Sequence, residues 1–333
     1  MNRKPFAGFS GTYVYVRGRQ LEGTYSDDPS IGMWGISACR VVRGWGNAPR
    51  DLFPVPETWP PEEPEGLDEA AKENRVLTYQ RVRCAGEAIK LLSTPNAVSA
   101  SFEITKQWFD APGGVVTVPE ANEEIIGAHA VAIVGFRPED ETFQFVNSWG
   151  TEWGDFGFGY LPLQYFDRHF QESWVIRGIH DVIPVTDRSA TQLVEWGLPD
   201  AITDSLTHLV EMYDPRYDER MGWAIAVERS GFLEIEDLFV KPQYRQQGIG
   251  SRFCSALAQR GRSLGMPLRL WISHADARNL HTAVFQSILG KLGLTNVVKA
   301  PNRWSTFLAT SGGHSLQVCS SLSPPTWHVA PGT

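Results

Sequence analysis

Residues 128–136 (Ala-His-Ala-Val-Ala-Ile-Val-Gly-Phe) and 142–149 (Thr-Phe-Gln-Phe-Val-Asn-Ser-Trp) are rich in β-formers. Arg137-Pro138-Glu139-Asp140-Glu141 lies between them, so a β-hairpin is predicted. Centred on Pro138, that hairpin sets His129 opposite Asn147 as cross-strand neighbours. Further on, residues 232–240 alternate as a strand that Lys241-Pro242 ends. A glycine-bearing turn follows (Gln243-Tyr244-Arg245-Gln246-Gln247-Gly248-Ile249-Gly250-Ser251-Arg252). Residues 253–263 then place Phe253, Ala256, Leu257 and Arg260 at helical spacing, with Gly265 as the stop.

Other stretches interrupt these patterns. Residues 53–66 hold Pro and Glu too densely for a helix or an inner strand, which predicts a surface excursion before a short helix over Leu67–Lys72. Residues 181–188 separate two self-contained sets of elements and mark a domain boundary. From 313 to 333 the chain turns to Ser, Gly and Pro, the composition of a poorly ordered tail. A length of 333 residues with 42% hydrophobic content suits two α+β domains, expected at 1–185 and 190–312.

The formal net charge of -8 argues against nucleic acid as a partner and would suit a cationic substrate. No apolar run is long enough for a membrane span, and Pro5, Gly8, Ser10, Gly11 and Arg17 interrupt any export signal. Cys39, Cys84, Cys254 and Cys319 lie far apart without metal-ligand spacing, as expected of reduced thiols in a cytoplasmic protein.

An Asn beside a His can accept from one ring nitrogen and so fix which tautomer presents the other. The continuation Asn147-Ser148-Trp149-Gly150-Thr151-Glu152-Trp153-Gly154 resembles the papain-like cysteine peptidase family, and the likeness extends over most of residues 10–178. The resemblance implies that His129 is the base, Asn147 its orienter and Trp149 the ring that shields their contact. The family's nucleophilic Cys stands roughly 130–150 residues before the His. His129 has 128 residues ahead of it, and no Cys-Gly-x-Cys-Trp pattern occurs in the chain. Cys39 falls on what resembles a structural helix that follows the nucleophile helix. Thiol-protease chemistry is therefore not expected from this polypeptide alone, through either loss of function or loss of a gene segment. In the second case an apolar groove should be left exposed.

Glycines between a strand and a helix let backbone N–H groups converge on an anion at the helix's positive end. Arg-x-x-Gly-x-Gly after strand-Val-x-Pro-x-Tyr resembles motif A of the GNAT acyltransferase superfamily, over about residues 200–310. The resemblance implies acetyl-CoA as cosubstrate and an amine on a small molecule, peptide or protein as acceptor. Leu238, Phe239 and Val240 would offer backbone groups to the pantetheine. Arg245, Gln246, Gln247, Gly248, Ile249, Gly250 and Ser251 would hold the pyrophosphate. Glu236 is the candidate base, with Glu234 on the same strand face as a substitute. Where the family places a Tyr as proton donor, this chain has Leu289. Asn279 is expected at the start of the helix that carries Leu289, as its cap or a cofactor contact; His281 and Ser287 are expected as surface positions.

The expected function is acetyl transfer to an amine by a chain that also carries a catalytically incomplete papain-like domain able to bind a polypeptide. The alternatives are a cysteine peptidase whose nucleophile was lost from the gene, and a non-catalytic binding protein.

Overall fold

The structure is a computed structural model that describes residues 8–179, 185–277, 279, 282–299 and 307–310. His281, Cys319, the expected tail at 313–333 and part of the expected boundary at 181–188 lie outside the described residues. The described residues form two compact units, one built from those up to Gln80 and those from Ile176, the other from Arg81–Val175. By compactness, then, the chain does not divide at 185, and the reason lies in which elements need covering.

The chain opens with α1 (Gly11–Glu22), begun by Ser10, whose hydroxyl accepts from the Tyr13 amide, and ended by Gly23 in the left-handed conformation. Next come α2 (Gly35–Gly44), α3 (Leu67–Lys72) and β1 (Val76–Arg81). Tyr13, Val16, Val41, Ala48, Phe53, Leu67 and Ala71 bury one another in a small cluster. Trp59, in the proline-rich excursion, packs on that cluster and donates from Nε1 to the Ser26 carbonyl.

The Arg81–Val175 unit contains α4 (Ala85–Leu92), β2 (Val98–Ile104), β3 (Gly127–Arg137), β4 (Thr142–Val146), β5 (Phe158–Pro162), α5 (Leu163–His169) and most of β6 (Phe170–Ile179). Its strands are ordered β6-β2-β3-β4-β5. Phe102, Phe143, Phe145 and Phe166 are buried inside it, with the Phe102 and Phe166 rings edge to face at 5.4 Å. The opposite face of the sheet carries Ala130, Ala132, Val134, Val146 and Phe158 to solvent.

The hairpin of β3 and β4 forms, but not in the expected register. Ala132 pairs with Val146 and Ile133 with Phe145, and the register shifts once more between Ile133 and Gly135. The second strand also stops at Val146, so His129 and Asn147 are not paired in the ladder. Counting about Pro138 failed because the loop and the irregularity each displace the pairing.

The remaining elements are β7 (Gln192–Pro199), β8 (Leu206–Asp214), β9 (Glu219–Arg229), β10 (Phe232–Val240), α6 (Ile249–Leu264), β11 (Leu268–Ile272), α7 (His274–Ala277), α8 (Ala283–Leu292), β12 (Asn296–Lys299) and β13 (Phe307–Thr310). They make a seven-stranded sheet ordered β12-β13-β11-β10-β9-β8-β7, in which β10 and β11 run parallel. α6 starts at Ile249, four residues earlier than its apolar spacing predicted, because Gly248 takes the left-handed conformation that launches it. Gly265 ends it as expected.

One face of this sheet meets α6 and α8 through Val210, Ala224, Leu233, Ile235, Phe253 and Leu257. On the other face Leu209, Glu211, Trp223, Ile225, Asp237 and Phe239 are equally buried. The connection from β7 to β8 is only residues 200–205 and brings no helix to them. That cover comes from α2 and the residue after it: Arg43 lies over the Trp223 ring, Arg40 over Phe239, and Trp45 meets Phe239 edge-on. A sheet with two apolar faces must bury both, which is why residues before Gln80 cluster with this unit.

Candidate functional site

In the Arg81–Val175 unit the chain leaves β4 at Val146, and the Asn147 amide bonds to the Gly157 carbonyl at 2.9 Å. This turns the Asn147 side chain toward β3. Its Oδ1 accepts from the Ser148 amide at 2.8 Å and meets His129 Nε2 at 2.9 Å. An oxygen already accepting a backbone N–H can only accept again, so Nε2 carries the proton and Nδ1 presents its lone pair. The predicted partnership is thus present although the predicted ladder register is not.

Aromatic rings frame the pair. Trp149 lies 4.6 Å from the His129 ring at 30°, and Phe109 stacks on Trp149 from the far side at 5.1 Å. Trp108 meets the imidazole edge-on at 6.0 Å and donates to the Tyr165 hydroxyl at 2.8 Å, while Trp153 donates to the Trp108 carbonyl. Gly154 permits the tight turn beneath, since a Cβ there would meet the Phe158 carbonyl oxygen at 2.5 Å. Burial lowers the His129 pKa and the Asn147 hydrogen bond partly opposes it, so the ring is a neutral base near pH 7.

In the other unit, β10 and β11 pair from Leu233–Leu268 through Ile235–Leu270 and then part. β10 continues to Val240 and β11 to Ile272, so the two strands splay. A register shift between Ile235 and Asp237 marks where this begins. Leu238, Phe239 and Val240 pair only with β9, through Ala224, Trp223 and Gly222, which leaves their other backbone edge outside the ladder. Gln246 and Gly248 are both left-handed in the turn before α6. A Cβ on Gly248 or Gly250 would meet nothing within 4 Å, so open space lies above the turn. An extended arm with an anionic end fits this shape, strand edge first and helix N-terminus second. Ile249 is buried and offers only backbone, while Arg245 spans from the turn to the Val240 carbonyl. Lys291 on α8 donates to the Ser251 hydroxyl.

The two candidate bases share Arg229. Glu236 accepts from Arg229 Nη2 at 2.9 Å; Glu234, fully buried, lies 3.9 Å from Arg229 and 3.5 Å from Arg269. Leu289 is buried in the apolar core and Ser287 is exposed. Asn279 does not cap α8; Thr282 does, accepting from the Phe285 amide. Cys39 and Cys254 are buried, and burial pushes the Cys254 thiol up to about 11.

Sequence reasoning missed the charged groups around the splay. Arg40 on α2 donates to both oxygens of Asp237 on β10 and both of Asp276 in α7, at 2.6 to 3.2 Å. Tyr79 donates to Asp237 and accepts from Trp223 Nε1 at 2.9 Å. Burial opposes the charge on Arg40, yet Asp237 and Asp276 outweigh it and raise the guanidinium well above its ordinary value. One turn on, Arg43 and Arg220 both bond the fully buried Glu211. Burial lowers the Lys241 ammonium to about 8 despite Glu219 at 2.8 Å. The sequence held a faint sign of this in two arginines, three apart, on a helix that also carries Ile36, Val41 and Val42.

Comparisons with known proteins match both regions of the chain. A peptidase C1-like protein of Acanthamoeba polyphaga mimivirus is 39% identical over 72 residues, 21% of this chain and 23% of that protein. Cathepsin B-like cysteine proteinase 6 of Caenorhabditis elegans is 29% identical over 145 residues, 42% of this chain and 38% of its own length. The chain therefore spans between a quarter and two-fifths, roughly, of these curated relatives. Among solved structures, xylellain, a cysteine protease from Xylella fastidiosa, is 23% identical with a TM-score of 0.48, over 54% of this chain and 73% of that one. Residues 65–168 match the papain family cysteine protease and residues 166–289 the acetyltransferase (GNAT) family. One polypeptide thus joins a papain-like peptidase region to a GNAT acetyltransferase region.

Proposed function

We propose that the protein transfers an acetyl group from acetyl-CoA to an amine. The observation that supports this best is the splay of β10 from β11 leading into the open turn before α6, within the span that matches the GNAT family. Acetyl-CoA would supply an activated thioester. The free edge of Leu238, Phe239 and Val240 would orient its pantetheine arm, and Gln246, Gln247, Gly248, Ile249, Gly250 and Ser251, with Arg245 beside them, would hold its pyrophosphate. Glu236 is the base, taking the amine's proton through water because Arg229 already binds the carboxylate directly. With Leu289 buried among apolar side chains, the departing thiolate takes its proton from solvent.

Calorimetry with acetyl-CoA tests the reading. The intact chain should bind and Gly250→Trp should lose binding, because a Cβ there meets no neighbour and the indole would extend into the open space above the turn. An intact chain that fails to bind would overturn it.

A second reading concerns the papain-like region. His129 and Asn147 are set as base and orienter, yet among the described residues the groups against the imidazole are Asn147, Trp108 and Trp149, none of them a thiol. An imidazole without a nucleophile forms no acyl-enzyme. We infer that this region binds a polypeptide without cleaving it, on the exposed apolar face of β3, β4 and β5. Hydrolysis of a fluorogenic peptide that is abolished by His129→Ala would refute this.

A further inference from the structure

The strands of the splay are joined by a residue from neither. Arg40 lies on α2 and is 6% exposed in its side chain, yet its guanidinium binds Asp237 on β10 and Asp276 just after β11. Asp237 stands two residues beyond Ile235, the last position at which β10 pairs with β11. Asp276 is fixed independently by Ser273, whose hydroxyl donates to Oδ2 at 2.6 Å. Tyr79 from β1 and Trp223 from β9 complete the shell around Asp237. The four hydrogen bonds of the guanidinium to these carboxylates are charge-assisted and use three of its nitrogens, an arrangement that a lysine cannot reproduce.

We propose that Arg40 is a positioning residue for acyl transfer: by binding Asp237 and Asp276 at once it sets how far β10 and β11 stand apart, and so whether the cofactor's pantetheine arm fits between them. The acyltransferase site would then be completed by a helix outside the GNAT-matching span, which begins at residue 166. This rests on the acetyl-CoA reading above. Arg40 itself does not touch the reacting atoms. Its influence passes through the strand edge at Leu238, Phe239 and Val240; in the turn before α6 it reaches Arg245 by charge alone, where Asp276 opposes it.

Two probes separate these parts of the cofactor. Acetyl-CoA needs both the splay and the turn; adenosine 3′,5′-diphosphate lacks the pantetheine arm and needs only the turn. Arg40→Met and Arg40→Lys should each weaken acetyl-CoA by tenfold or more in calorimetry while adenosine 3′,5′-diphosphate binds as to the unaltered chain. Asp276→Asn, milder because that side chain is 32% exposed, should show the same split at smaller size and remains informative if the Arg40 variants do not fold. Equal loss of both ligands would mean a merely structural role, and unchanged acetyl-CoA binding would mean none; either overturns the proposal. Should the intact chain bind neither ligand, the acetyl-CoA reading falls, and amide exchange decides the clamp separately. Faster exchange over residues 236–240 in Arg40→Lys, with α6 and α8 unchanged, upholds the clamp; unchanged exchange at 236–240 sinks it.

Discussion

The histidine site and the strand splay solve the problem of holding polar groups in opposite ways. His129 and Asn147 are 18 positions apart, held by one hairpin and a stack of rings that needs no charge. At the splay the partners of Arg40 stand 197 and 236 positions away, and guanidinium–carboxylate pairs do the holding, the one with Asp237 buried from water. Aromatic packing tolerates the loss of one polar contact, because each ring keeps its other neighbours. A buried ion network does not: removing one member strands an uncompensated charge. The first site should therefore weaken gradually under mutation and the second abruptly.

The sharpest test of that contrast is Glu211→Gln. It takes away the carboxylate that Arg43 and Arg220 share in a site with no solvent access and should destabilise its unit by about 3–5 kcal/mol in urea unfolding. Replacing Glu211 with Gln and Arg43 with Met together should be milder than the sum of the two single changes, as a double-mutant cycle would show. Asn147→Ala should be smaller, about 1–2 kcal/mol, because the lost hydrogen bonds leave the rings in place. If Asn147→Ala proves the more damaging of the two, the contrast is wrong.

The smallest effect concerns pH. His129 has a folded pKa below its ordinary 6.5, so the unfolded chain binds the proton more readily. The stability of the Arg81–Val175 unit should be fully present above that value, fall as pH drops through it, and level off once the folded ring is itself protonated. Following the ring proton of His129 by NMR should place its midpoint below 6.5 and show a neutral imidazole at pH 7.

What could be seen in the sequence follows the same line. The hairpin, the turn before α6 and the strand over residues 232–240 are local patterns whose signal lies in adjacent residues, and they are present. The His129–Asn147 contact was also legible, though by a wrong count: the pairing of Ala132 with Val146 depends on loop geometry that residue numbers do not carry. Arg40, Asp237, Asp276 and Tyr79 were missed because nothing local distinguishes a buried arginine from one on a solvated helix face. The compact grouping of residues before Gln80 with those after Ile176 was missed for a related reason. Family likeness follows ancestry along the chain, whereas compactness follows which apolar face is covered. One consequence is that deleting residues 1–185 would not isolate an acyltransferase, since it would uncover Trp223 and Phe239.

The placement of α2 also governs the order of assembly during synthesis. Arg43 leaves the ribosome 168 residues before Glu211, at roughly 5–20 residues per second, so the helix waits about 8–34 s for the strand it must meet. Throughout that interval the face of α2 that covers the sheet has no strand to cover, so this contact closes late in synthesis, after the helix and the strands between them have been made.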